Sequence, residues 1–125
     1  MQTYPAVGAS LSRLRNDVRE RALAAGAGLR AAPIAQAASE AAANAIVHGY
    51  DGGDEREVIE VSFSAADGAI RVVVSDHGSG FRPRRASPGL GLGLALIAQL
   101  ADEFELHERP GGGIELSMRF VEAVS

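Results

Sequence analysis

Residues 39–50 of the chain read SEAAANAIVHGY, an alanine-rich run that carries three chemically capable side chains. Glu40, Asn44 and His48 follow one another at intervals of four residues, so a helix places all three on one face. A carboxylate can accept a proton from an attacking hydroxyl. An amide oxygen can bind a hard cation such as Mg²⁺. By itself, the pattern is also compatible with the ordinary polar face of a helix.

Two glycine-containing motifs follow, Asp76-His-Gly-Ser-Gly80 and Gly89-Leu-Gly-Leu-Gly93. The aspartate ends an apolar run, and a buried carboxylate there needs a donor such as the exocyclic amine of a purine. Glycines that precede a helix offer free backbone N–H groups and the positive end of the helix dipole to phosphate. The second motif is not the dinucleotide fingerprint, because Leu96 stands where a small residue is required. Each motif alone is also compatible with a plain turn, and the order and spacing of all three are what make coincidence improbable.

Composition narrows the class of protein. The chain has 125 residues, a net charge of −4 and no cysteine, and its 12 basic residues are all arginine. Residues 1–125 are therefore expected to form one domain. The absence of cysteine and lysine excludes disulfides, thiol nucleophiles, a Walker A loop and Schiff-base chemistry. The acidic balance argues against direct binding of nucleic acid. No run is apolar enough to span a membrane and no signal peptide is recognised, so a cytoplasmic location is expected.

Hydrophobic periodicity predicts the order β-α-α-β-β-loop-α-β-β, which favours an α+β two-layer sandwich with a mostly antiparallel sheet. Ser10 is the predicted N-cap of the first helix, and the loop is predicted over residues 77–91. The predicted elements are a strand in residues 2–8, a helix ending near Gly26–Gly28, a helix from Pro33 to His48, strands around Ile59–Phe63 and Ile70–Asp76, a helix over Leu92–Ala101, and strands over Glu103–Glu108 and Gly113–Val121.

In combination, the three motifs resemble the N, G1 and G2 boxes of the GHKL (Bergerat-fold) ATP-binding superfamily. The sequence is most similar to bacterial anti-sigma factor serine/threonine kinases, from Ser10 to Phe120 and above all in residues 39–50. This resemblance implies a mostly antiparallel sheet covered on one face by helices, with ATP bound between the helices and a lid. The lid would be short here, because only Phe81–Pro88 separates the two glycine motifs.

The resemblance also implies roles for individual residues. Glu40 matches the general base, Asn44 the Mg²⁺ ligand and Asp76 the residue that binds the adenine amine. Arg15 matches an arginine that contacts protein partners. His48 is expected to stabilise the helix end and His77 to point to solvent. The residues implied to contact nucleotide are Gly78, Gly80, Gly89, Gly91, Leu92 and Gly93, with Arg82, Arg84 and Arg85 as candidates for phosphate contacts.

The function implied by the resemblance is partner switching: the protein uses ATP and Mg²⁺ to phosphorylate an anti-anti-sigma protein, and it sequesters a sigma factor. Relatives often form dimers, so a homodimer is a candidate assembly. Two alternatives stay open, a nucleotide-binding module that acts by sequestration alone and the ATP-binding domain of a histidine kinase. Glu40 argues against the latter, because histidine kinases usually carry asparagine there and a carboxylate suits activation of a hydroxyl.

Overall fold

The computed structural model describes residues 1–50, 53–78 and 88–121, and of residue 49 and residues 88–93 it describes only the backbone. In these ranges the chain forms three α-helices and a five-stranded antiparallel sheet of order β1-β2-β3-β5-β4. The predicted α+β class and order of elements are confirmed. The bounds are β1 Gln2–Ala6, α1 Leu11–Ala24, α2 Ala31–Asn44, β2 Asp54–Ala66, β3 Ala69–Asp76, α3 Pro88–Leu100, β4 Glu103–Glu108 and β5 Ile114–Val121.

One face of the sheet is apolar because large hydrophobic residues alternate with polar ones along the strands. Ile59 and Val61 on β2 and Val72 on β3 are at most 3% exposed, and Phe120 on β5 is 1% exposed. The helices cover this inner face, whereas Arg71 on β3 belongs to the outer face and is exposed. This alternation explains how a chain with so few aromatic residues builds a continuous core.

Helix α2 lies at the centre of the helical layer and contacts α1, α3 and β3. Eight of its fourteen residues are buried, and six of those eight are alanine. Small side chains allow neighbouring backbones to approach closely. The alanine-rich run therefore lets α2 pack closely against its neighbours, and this packing places the polar residues of the run beside the end of β3.

Several element ends differ from the sequence-based predictions: α2 begins at Ala31 and not at Pro33, and β2 extends over Asp54–Ala66, well beyond the predicted Ile59–Phe63. Ser10 does occupy the N-cap position of α1, but its side chain makes no capping hydrogen bond because a 3₁₀ turn over Gly8–Ser10 precedes the helix. Helix α2 was predicted to run to His48 but ends at Asn44, where a π-helical turn over Ala45–Gly49 continues it. Helix α3 begins at Pro88 and not at Leu92, because proline suits the first turn of a helix.

In the part of the chain that the structure describes, none of the helices combines the length and the apolar character that a bilayer crossing requires.

Candidate functional site

An open cavity lies between the helical layer and the inner face of the sheet, with about 430 Å³ of empty space in it when the adjoining open solvent is included. Most of its wall is aliphatic, and three polar side chains interrupt it: Asn44, His48 and Asp76. A concave, mostly apolar space with a few convergent polar groups is typical of small-molecule sites. The lining residues are Ala41, Asn44, Ala45 and His48 from α2 and the π turn, Val74 and Asp76 from β3, Leu94 from α3, Leu106 from β4, and Ile114 and Leu116 from β5.

Asp76 ends β3 and is 3% exposed. Its Oδ1 atom accepts hydrogen bonds from the backbone N–H of Gly78 at 3.0 Å and of Ile114 at 3.4 Å. Burial raises the pKa of this carboxyl group above its usual value, and these two hydrogen bonds offset the rise only in part. Among the described residues nothing donates to Oδ2, so this oxygen is available to a donor in the cavity.

The hairpin between β4 and β5 approaches the backbone of Asp76 more closely than any side chain would permit. Gly113 has φ +95°, and a Cβ atom there would lie 2.0 Å from the carbonyl oxygen of Asp76. A Cβ atom on Gly112 would lie 3.3 Å from the carbonyl oxygen of Gly78. The strands predicted over Glu103–Glu108 and Gly113–Val121 imply a turn between them, but they do not predict this close approach. The available signal was the run of three glycines at 111–113, which is longer than a simple turn needs.

Asn44 is the last residue of α2, and its side-chain Nδ2 atom is buried without a hydrogen-bond partner among the described residues. Buried polar atoms are nearly always paired, so an orphan in a cavity wall indicates a ligand or water that completes it. The π turn that follows brings His48 onto the same wall. His48, for which a role at the helix end is favoured from the sequence, thus lines the cavity with Asn44 and Asp76.

Glu40 lies one turn before Asn44 on α2, but it does not form part of the cavity wall. Its Oε1 atom accepts a hydrogen bond from Gln36 Nε2 at 3.2 Å. The adjacent Ser39 receives a long contact of 3.4 Å from the Arg15 guanidinium, which ties the candidate partner residue on α1 to α2. Of the two residues Glu40 and Asn44 on one face of α2, only Asn44 lines the cavity.

The glycine motifs are described in part. In the first motif, Gly78 donates its backbone N–H to Oδ1 of Asp76. Gly89, Gly91, Leu92 and Gly93 lie within the first turns of α3 and not in a preceding loop, so the prediction of a loop through residue 91 was wrong. The first backbone N–H groups of a helix have no partner within it, so among these glycines Gly89, the second residue of α3, still offers a donor. Gly80, Arg82, Arg84 and Arg85 lie outside the described residues.

Tyr50 does not line the cavity but contacts a segment next to it, and the sequence motifs gave it no role. It follows the π turn and is 8% exposed. Its hydroxyl donates to the Val58 carbonyl at 2.9 Å and accepts from the backbone N–H of His77 at 2.7 Å. Tyr50 thereby connects the end of the helix that carries Asn44 to the segment next to Asp76. A tyrosine directly after the helix-ending glycine was the signal in the sequence.

The donor set fits a magnesium–nucleotide complex better than a metal held by protein alone. Within residues 1–50, 53–78 and 88–121, no cluster of three or more metal-binding side chains occurs. Mg²⁺ commonly takes one or two protein oxygens and completes its shell with water and substrate phosphates. The amide oxygen of Asn44 suits such partial coordination. Its unpartnered Nδ2 atom can donate a hydrogen bond to an oxygen of the ligand.

Comparison with known proteins agrees with this architecture. The chain is 31% identical over 96 residues to the serine-protein kinase RsbW of Staphylococcus aureus, a match that covers 65% of this chain and 60% of the relative. It is 29% identical over 97 residues to the anti-sigma F factor of Clostridium perfringens, covering 69% of each chain. The solved structure of the RsbU and RsbW domains of Rv1364c from Mycobacterium tuberculosis superposes with a TM-score of 0.72 at 25% identity, covering 97% of this chain and 32% of that one.

A family model, the histidine kinase-like ATPase domain, matches residues 5–120 and so includes the whole cavity. This chain is a member of the histidine kinase-like ATPase domain family.

Proposed function

We propose that this protein binds Mg·ATP in the cavity, phosphorylates a serine or threonine of an anti-anti-sigma protein, and sequesters a sigma factor when that antagonist is not available. The observation that carries the proposal is the unpartnered Nδ2 atom of Asn44 in the same aliphatic cavity as Asp76. The names of the relatives, serine-protein kinase RsbW and anti-sigma F factor, support the kinase and sigma-factor parts. Sigma factors act on transcription, so the proposal places the protein in the cytoplasm.

Adenine recognition is assigned to Asp76. Its Oδ2 atom accepts a hydrogen bond from the exocyclic amine of the base, while Oδ1 stays held by two backbone N–H groups. The aliphatic side chains of Val74 and Leu116 line the same cavity and suit the faces of a flat ring. A base that lacks an exocyclic amine at this position would leave a buried carboxylate oxygen without a donor.

Phosphate and metal binding are assigned to the opposite wall. Asn44 would hold Mg²⁺ through the oxygen of its side-chain amide, and His48 lies on the same wall one turn further. The backbone N–H groups of Gly89 and Leu90 in the first turn of α3 are donors to the phosphates. Bound Mg²⁺ would supply neutralisation of the negative charge on the phosphates.

Phosphoryl transfer is assigned to Glu40 as general base. The hydroxyl oxygen of the acceptor bonds to the γ-phosphorus, the bond from that phosphorus to the bridging oxygen of ADP breaks, and Glu40 takes the hydroxyl proton. Gln36 holds Oε1 of Glu40, and among the described residues Oε2 receives no hydrogen bond. This arrangement leaves one carboxylate oxygen free for the proton.

The test is phosphotransfer measured by intact-mass analysis of an anti-anti-sigma protein from the source organism, incubated with this protein and Mg·ATP. The antagonist is expected to gain one phosphate with the parent protein. Glu40→Ala is expected to retain Mg·ATP binding and lose the transfer, whereas Glu55→Ala, at an exposed position on β2, retains both. Equal phosphotransfer by Glu40→Ala and the parent would remove Glu40 from this role.

A second function, sequestration without catalysis, is favoured by one observation: Glu40 is hydrogen-bonded to Gln36 and lies outside the cavity wall. In that case nucleotide would serve as a structural or sensing ligand. An antagonist that gains no phosphate although the parent binds Mg·ATP would establish this second function. Stoichiometric phosphorylation of the antagonist would eliminate it.

A further inference from the structure

Three charged or titratable side chains meet on the outer face of the sheet, directly behind Asp76: Glu60, His77 and Arg109. The Glu60 Oε1 atom is hydrogen-bonded to the Nε2 atom of His77, and it accepts a hydrogen bond from Nη1 of Arg109 at 3.3 Å. The side chain of Glu60 is 17% exposed, that of Arg109 29% and that of His77 44%. His77 therefore does not simply point to solvent, as its position in the motif suggested. We call these three residues the Glu60 clamp.

The Glu60 clamp joins segments that are distant in sequence. Glu60 lies on β2 opposite Ser75, the residue before Asp76. Arg109 lies at the start of the hairpin between β4 and β5, where its N–H donates to the Gly113 carbonyl at 2.9 Å. Strand β3 lies between β2 and β5, so the ion pair between Glu60 and Arg109 passes across the end of the strand that carries Asp76.

Two of the three segments that the clamp joins also hold the carboxylate of Asp76. One hydrogen bond to Oδ1 comes from Gly78, the residue after His77, and the other comes from Ile114, at the far end of the hairpin that Arg109 begins. Any separation of these segments would displace one N–H from the carboxylate. The direction of Asp76 Oδ2 into the cavity then depends on a contact made on the opposite face of the sheet.

The charge of Glu60 is maintained by its two partners. Burial would raise the pKa of this carboxyl group, but hydrogen bonds from His77 and Arg109 outweigh burial and lower the pKa below its usual value. The carboxylate is therefore ionised at neutral pH, and its bond to the guanidinium is charge-assisted. A neutral side chain at this position would keep the shape of the clamp but not its strength.

We propose that the Glu60 clamp positions Asp76 for recognition of the exocyclic amine of adenine, which makes Glu60, His77 and Arg109 positioning residues for nucleotide selectivity. The inference rests on the proposed binding of ATP in the cavity. It predicts a specific defect: loosening the clamp impairs the contact with the amine more than it impairs the contacts with ribose and phosphates. A general loss of stability would weaken every nucleotide alike.

The test compares the Kd of Mg·ATP with that of the Mg complex of purine riboside triphosphate, which lacks the exocyclic amine. The parent is expected to prefer ATP. Glu60→Ala is expected to raise the Kd of Mg·ATP by about tenfold, the size of effect expected for lost hydrogen bonds to a charged group. It is expected to change the Kd of the analogue by less than about twofold, because the analogue makes no hydrogen bond to Asp76 through an amine. Arg109→Met keeps the aliphatic stem and serves as the second variant, with the same loss of selectivity expected.

Glu105→Ala is the matched control, because Glu105 also pairs with a histidine, His107, but is 70% exposed. It is expected to leave both Kd values unchanged. Equal weakening of ATP and of the analogue in the clamp variants, or an unchanged preference for ATP, would overturn the positioning role. A parent that binds neither nucleotide, or binds both equally, would instead overturn the assignment of Asp76 to adenine, and the inference with it.

Discussion

Replacing Gly113 by alanine tests how closely the hairpin between β4 and β5 approaches Asp76. A Cβ atom at this position would lie 2.0 Å from the carbonyl oxygen of Asp76 and 2.8 Å from its carbonyl carbon. Both are backbone atoms of the last residue of a paired strand, so they cannot swing aside as a side chain would. The neighbouring Gly111 is the matched control: its φ of +88° is close to the +95° of Gly113, but a Cβ atom there would meet nothing within 4 Å.

The magnitude follows from separating backbone strain from steric overlap. Alanine in the left-handed region costs roughly 1–2 kcal/mol, so both variants lose about that much free energy of unfolding. Overpacking against an unyielding neighbour costs typically a further 1–3 kcal/mol, and only Gly113→Ala incurs it. The expected losses are therefore about 1–2 kcal/mol for Gly111→Ala and about 2–5 kcal/mol for Gly113→Ala, by the same two contributions.

The assay is urea denaturation of both variants, followed by calorimetric titration with Mg·ATP under conditions in which each is folded. The hairpin carries the Ile114 N–H that donates to Asp76 Oδ1, so Gly113→Ala is expected to raise the Kd of Mg·ATP by more than about tenfold. Gly111→Ala is expected to leave the Kd unchanged. Equal unfolding free energies and equal Kd values for the two variants would refute the close approach and its role in positioning Asp76.

Two further predictions concern the groups around Asp76. Tyr50→Phe removes a hydroxyl that serves both the His77 N–H and the Val58 carbonyl, so unfolding by urea is expected to show a loss of about 1–3 kcal/mol; a loss below about 0.5 kcal/mol would mean that water replaces the hydroxyl. For Asp76, burial raises the folded-state pKa above 3.8, so its ionisation destabilises the fold, a penalty that is absent below the unfolded pKa and grows as pH rises through the raised folded pKa. Asp76→Asn is therefore expected to raise Tm at pH 7, by an increment that shrinks towards pH 4; an increment independent of pH would contradict this.

The element order could be read from the sequence because it rests on local patterns. Ile70, Val72 and Val74 alternate with outward-facing residues, and the structure places all three in the core. Gly68 in the turn before them has φ +73°, a conformation that its lack of a side chain permits and the sequence therefore signals. In such places each residue type and its nearest neighbours determine the outcome.

The element ends and the positioning contacts could not be read in the same way. The π turn over Ala45–Gly49 departs from what helical periodicity predicts, whereas the start of α3 at Pro88 follows a local preference of proline that the predicted loop overlooked. The Glu60 clamp joins β2, β3 and the hairpin after β4, three segments whose neighbourhood follows only from the strand order. Glu40 shares a face of α2 with Asn44, as its spacing predicts, but only Asn44 lines the cavity.

Calorimetric titration of Mg·ATP into three proteins tests whether the cavity binds an adenine nucleotide through Asp76. The three proteins are the parent, Asp76→Asn and Asp67→Asn. Asp67 makes the same chemical change at an exposed turn, where its φ of +54° suits asparagine. We expect binding by the parent and by Asp67→Asn, and none by Asp76→Asn. Absence of binding by the parent, or unimpaired binding by Asp76→Asn, would contradict it.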